Sequence, residues 1–169
     1  MPIVRLVGHL SLWAGRLASL IVLPLVIAMV YEVVARYAFS APTAWAFELS
    51  YMMMGTIFLL GVAYALLVNQ HVNVDFIHNM LPKRAIAAID MIGYALLTGM
   101  VAWMVIILAE NAVSTYRSGE GSGLSAWNPP VWPYRIIYAV GFALFALQAF
   151  AKAIENLMVV LGHKTGDAP

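Results

Sequence analysis

Residues 36–75 read RYAFSAPTAWAFELSYMMMGTIFLLGVAYALLVNQHVNVD, and this stretch decides the fold. Between Glu48 and His71 it holds no charged residue. A helix rising about 1.5 Å per residue needs roughly 20 apolar residues to cross a hydrocarbon core of about 30 Å. The run is therefore a membrane span, bracketed by polar groups at both ends.

The rest of the chain repeats that pattern. Hydrophobic residues make up 63% of the 169 and charged residues 10%, and the mean hydropathy is +0.87. These values lie far from those of soluble domains. Four uncharged apolar runs place spans at about residues 10–36, 44–69, 83–116 and 134–161 of a single membrane domain. Alternating barrel strands are absent, so helices are the spanning structure. The expected fold is an all-α integral membrane protein with four transmembrane helices and a short interfacial helix between spans two and three.

Composition also excludes function classes. A net charge of +1, with no basic cluster beyond Lys83 and Arg84, argues against a nucleic-acid partner. Cysteine is absent, which removes disulfides, thiolate nucleophiles and iron–sulfur ligation. The basic lead with Arg5 and Arg16 resembles a signal peptide, but the long run reaches Glu32 and Arg36 without a small-x-small cleavage pattern. It reads as a retained first span.

In span one, Pro24 removes a backbone bond to Leu20 and predicts a bend. Ser11, Gly15 and Ser19 recur every four residues, a small face that another helix could approach closely. Glu32 and Arg36 are four apart with the acid first, the favourable order for an ion pair along a helix. They are candidates for neutralising each other near an interface or for docking a partner. Pro42 forces Ala41 out of helical geometry, and Thr43 is placed to cap a helix beginning at Ala44. Within span two, Met52, Met53 and Met54 read as packing, and Gly61 with Ala65 forms a second small notch.

From Asn69 to Leu81 polar and apolar residues alternate, which predicts an extended piece, with Asp75 capping a short helix in the interface. A metal site at His71, Asp75 and His78 would need one continuous helix and more ligands. Pro82 opens span three, where its missing N–H costs nothing. Asp90 and Glu110 lie about 30 Å apart along an ideal helix, marking its two membrane edges. Residues 117–133 form the longest loop, rich in Gly, Ser and Pro. Its GEGSG lacks the strand and the following Lys-Ser/Thr of a phosphate loop. Trp13, Trp127 and Trp132 are candidate interfacial anchors in contact with membrane lipid. Gln148 is the main polar group of span four.

All four histidines fall outside the apolar runs, against a haem held in a bundle core, and no nucleophile–base pair or convergent carboxylates appear. No cofactor and no enzymatic activity are expected. With the N-terminus cytoplasmic, Arg5, Arg16, Lys83, Arg84, Lys152 and Lys164 lie inside, and Arg36, Arg117 and Arg135 outside. This bias places both termini in the cytoplasm.

The ordered pattern RYAF at 36–39, Pro42, Trp45, Glu48, LGVAYAL at 60–66, HVNVD at 71–75, LPKR at 81–84 and Asp90 resembles the small, DctQ-like membrane subunit of the tripartite ATP-independent periplasmic (TRAP) transporters. The likeness is strong over residues 28–90 and extends further through the four-span layout and the Pro-rich approach to span four. It implies a location in the bacterial inner membrane and two protein partners. One is a large membrane subunit carrying the substrate and sodium sites; the other is a periplasmic substrate-binding protein that delivers an organic anion, often a carboxylate. The small subunit would then be scaffold, with Arg36, Trp45 and Glu48 fixing the outer turn and His71 and Asp75 the inner one. The Pro129–Pro130 loop would face the periplasm, within reach of the binding protein. The rival readings are a stand-alone small transporter and a membrane anchor for another complex.

Overall fold

The computed structural model describes residues 2–68 and 82–162. Four helices account for most of them: α1 Pro2–Ala38, α2 Ala46–Leu67, α3 Lys83–Ser118 and α4 Trp132–Val160. Each is long and apolar enough to cross a membrane, and no strand occurs among the described residues beyond one isolated bridge, Gly121 to Pro130. The expected interfacial helix, with His71, Asp75 and His78, lies outside the described residues.

The basic lead is helical and forms the first part of α1, which runs unbroken through Pro24 for 37 residues, about 55 Å at helical rise. Helix α2 begins at Ala46 rather than Ala44, and its cap position is Trp45, with no side-chain cap bond. Thr43 does not cap because its amide and hydroxyl both donate to Glu32. Pro82 stands at the cap of α3 in extended geometry, and its carbonyl accepts from the amide of Ala85 at 2.8 Å. Gly119 ends α3 at φ 67°, the left-handed conformation that glycine adopts without a Cβ penalty.

Helix α1 packs on α2, α2 on α4 and α4 on α3; α1 also reaches α4. Helices α2 and α3 both rest on α4 but scarcely touch each other. The covered positions of α1 are Val7, Ser11, Ala14, Ala18, Ala28, Glu32 and Ala35, with Ile21 and Leu25 half-buried between them. That is a seven-residue repeat, the seam of near-antiparallel helices in left-handed contact. Tyr134, Gly141 and Gln148, with Tyr138 and Phe145 between, form the same repeat on α4. Small residues on these seams let the backbones close: a Cβ on Gly15 would sit 2.6 Å from the ring of Tyr64. Of the predicted small face, Ser11 and Gly15 are used in this way, whereas Ser19 is exposed and turns its hydroxyl to the Arg16 carbonyl.

The core gathers Ala63 and Leu66 of α2, Val101 of α3 and Phe145, Ala146 and Ala149 of α4. The outward faces of α1 and α3 stay open, with Ile27 68% and Trp103 70% exposed. Such faces suit lipid or a partner subunit.

Candidate functional site

Polar groups concentrate at the end of the bundle where α1 stops, α2 begins, α3 stops and α4 begins. The α1–α2 turn is held by one carboxylate. Glu32 accepts from Arg36 Nε at 2.9 Å and Nη2 at 2.5 Å on Oε1. It accepts from the Thr43 amide at 2.9 Å, and from the Thr43 hydroxyl, on Oε2. Charge-assisted bonds of this kind are the strong ones. The Ala41 amide donates to the Ala35 carbonyl at 3.0 Å, Ser40 takes a positive φ of 51°, and Trp45 stacks on Tyr31 with ring centroids 5.9 Å apart. Glu32, Arg36 and Trp45 are thus brought together as one latch.

Glu48 does not join that latch. Helical geometry turns it toward α4, where it is fully buried. Neither of its carboxylate oxygens has a hydrogen-bond partner. It lines a cavity of about 300 Å³ together with Tyr51 and Met52 of α2, Asn111 of α3, and Tyr134 and Tyr138 of α4. The hydroxyls of Tyr134 and Tyr138 bond to each other, and the Tyr51 ring leans on Tyr134 at 5.8 Å. Gly55 lies beneath them, and a Cβ there would press on both tyrosine hydroxyls and shift them. As the third residue of α2, Glu48 sits in the favourable field of the helix N-terminus, a partial compensation for its burial.

The far wall of the cavity is an arginine node. Arg135 Nη1 donates to Asn111 Oδ1 and Thr115 Oγ1, each at 2.6 Å, and Nη2 donates to Glu120 Oε1 at 3.0 Å. This ties the start of α4 to the end of α3 and to the loop. The loop folds back on itself: the Ser122 amide donates to the Pro129 carbonyl at 3.0 Å and the Gly123 amide to Asn128 Oδ1 at 2.8 Å. The node carries no motif; in the sequence, Arg135 registers only as a charge and Glu120 as part of a glycine-rich loop.

The remaining expected positions scatter. Gly61 faces open space, and a Cβ added there would meet nothing within 4 Å. Trp13 is 60% exposed, with the Arg16 guanidinium 5.1 Å from its ring centre. Trp127 is exposed, and Trp132 meets Tyr116 edge-on at 5.3 Å. His71 and Asp75 lie outside the described residues. Toward the other end, buried Ser11 donates to Gln148 Oε1 at 2.9 Å, joining α1 to α4. Among the described residues no three His, Cys, Asp or Glu side chains gather as a metal site.

The family described as tripartite ATP-independent periplasmic transporters, DctQ component, matches residues 25–158, which takes in the latch, the cavity and the arginine node. No curated protein and no solved structure matched the chain. That family is a transporter component rather than an enzyme family. Together with four membrane-spanning helices, the match over most of the chain has one meaning: this protein belongs to the DctQ family, the small membrane subunits of TRAP transporters.

Proposed function

We propose that this chain is a scaffold subunit of a sodium-driven importer. In this reading the large membrane subunit binds the substrate, an organic anion such as a carboxylate, and a periplasmic binding protein delivers it. The chain sits in the bacterial inner membrane with both termini cytoplasmic, so the Glu32 latch and the Glu48 cavity face the periplasm.

One observation supports the scaffold role above others: deep within the spans, away from the Glu48 end of α2, Thr56, Thr98 and Gln148 are each taken up by a partner in this chain. Thr56 and Thr98 return their hydroxyls to the carbonyls of Met52 and Tyr94, and Gln148 is taken by Ser11. Self-sufficient transporters instead place free polar groups or broken helices near the midplane.

The test is reconstitution. Liposomes holding the large subunit, this chain and the binding protein should accumulate a labelled carboxylate under an inward sodium gradient. Vesicles with this chain alone should not. Uptake by the chain alone would support the stand-alone transporter, and a co-purifying redox protein the membrane anchor.

A further inference from the structure

We propose that the Glu48 cavity is a socket for one basic side chain, lysine or arginine, of the large membrane subunit; this rests on the scaffold reading above. Charge leads the argument. Glu48 is fully buried, and both carboxylate oxygens lack a partner. An unpaired buried carboxylate is strongly disfavoured, and the helix N-terminus offsets only part of that. The cations nearby are committed elsewhere: Arg135 to Asn111, Thr115 and Glu120, and Arg36 to Glu32. Among the described residues lining the cavity no other cation remains to meet Glu48, so the charge is assigned to the large subunit.

Shape agrees with charge. About 300 Å³ opens between the first turns of α2 and α4 and the last turns of α3. Its rim is exposed, with Tyr51 at 54% and Leu124 at 63%, while its floor at Glu48 is closed to solvent. A long basic side chain fits such a space with its apolar stem along the tyrosine rings, and its cationic head meets the carboxylate once the side chains covering Glu48 move aside. The chain's own loop at Glu120, Ser122 and Leu124 forms part of the wall, so a neighbouring helix or loop would enter beside it, past the exposed Tyr51 and Leu124.

Other cations fit less well. One carboxylate among hydroxyls is a poor set for a metal ion, and no cluster of three ligating side chains exists among the described residues. A lipid ammonium would bring its phosphate to the rim, where Glu120 is half-exposed and the arginine beside it is already engaged.

The experiment uses the complex of this chain with its large membrane subunit. A benzophenone amino acid replaces Tyr51 or, as a control on the open face of α3, Trp103. After irradiation the adducts are mapped by mass spectrometry. The Tyr51 position should label a large-subunit segment bearing Lys or Arg, and the Trp103 position should not label that segment. Recovery of the large subunit on tagged E48K should fall at least about tenfold, the scale of truncated buried charge pairs at interfaces. Exchanging the labelled basic residue for Glu should restore it. Size-exclusion profiles and helical circular dichroism control for folding, and E48Q, which keeps the side chain's size, carries the comparison where E48K does not fold. Lipid-only adducts from Tyr51, or wild-type recovery with E48K or E48Q, overturn the socket while leaving the scaffold reading intact. Failure of the wild-type chain to retain the large subunit at all would instead defeat the reading beneath it.

Discussion

Glu32 and Thr43, eleven residues apart, close the turn between α1 and α2: the Thr43 amide donates to Glu32 Oε2 at 2.9 Å, and its hydroxyl bonds the same oxygen. The carboxylate is shared with Arg36, so the turn is held from both sides by one side chain. Thr43→Val keeps the amide bond and loses the hydroxyl one, which should lower the unfolding midpoint by about 2–4 °C for a chain of this size. Glu32→Ala removes every bond at once and should cost more. A thermal melt of the detergent-solubilised variants checks the order; an E32A midpoint at or above that of T43V contradicts the latch.

Arg135 offers a second test, because three acceptors from α3 and the loop converge on it. Arg135→Leu should destabilise the chain by about 2 kcal/mol, the scale of hydrogen bonds to a charged group. It should also loosen the loop that Glu120 anchors, seen as faster cleavage by an added protease within residues 119–131. Arg135→Lys should recover only part, since an ammonium cannot reproduce the forked geometry of the guanidinium. Unchanged cleavage in R135L would show that the backbone bridge alone holds the loop.

How much of this is legible in the sequence depends on the kind of signal. Spans are written in hydropathy, so all four helices follow from the uncharged runs, and the pair Glu32–Arg36 follows from its spacing. The packing seams follow only in part: the small face catches Ser11 and Gly15, but the seven-residue seam through Val7, Ala14, Ala18 and Ala28 is apolar like the residues around it and is revealed only by burial. Glu48 stands out in the sequence as a charge at the start of a span, but its place does not. Ala46, Glu48 and Ser50 are all buried within the opening turns of α2, so the pattern of residues singles out no one neighbour, and only the packing sends Glu48 to α4. Threonine before a helix is a common cap, yet a carboxylate eleven residues upstream competes for the Thr43 hydroxyl and wins. The arginine node joins residues up to 24 positions apart, and nothing local announces such a meeting.

Two glycines separate packing within the chain from packing against a partner. At Gly15 a Cβ would press into Tyr64, whereas at Gly61 it would meet nothing within 4 Å. Gly15→Ala should therefore destabilise the isolated chain by about 1–3 kcal/mol, the usual range for overpacking. Gly61→Ala should leave it unchanged or slightly more stable, since alanine is the better helix former. If Gly61 contributes to docking, as its place in the LGVAYAL segment suggests, Gly61→Leu should weaken retention of the large subunit without lowering the melting point of the chain alone. Loss of both together would place Gly61 in the internal packing.

The Ser11–Gln148 bond is a buried polar link between α1 and α4, 2.9 Å long with both residues almost fully covered. Removing one partner strands the other in an apolar surrounding, so Ser11→Ala and Gln148→Leu should each destabilise by about 1–2 kcal/mol. The double variant should cost less than the sum, because it replaces the bond and leaves no orphan behind. A double-mutant cycle on unfolding free energies should return a coupling of about 0.5–1.5 kcal/mol. Because Gln148 lies about three turns along α4 from Tyr138 at the Glu48 cavity, toward the other end of the seam, the same variants should retain the large subunit at wild-type level wherever they still fold. A coupling near zero would mean that α1 and α4 are held by their small-residue contact alone.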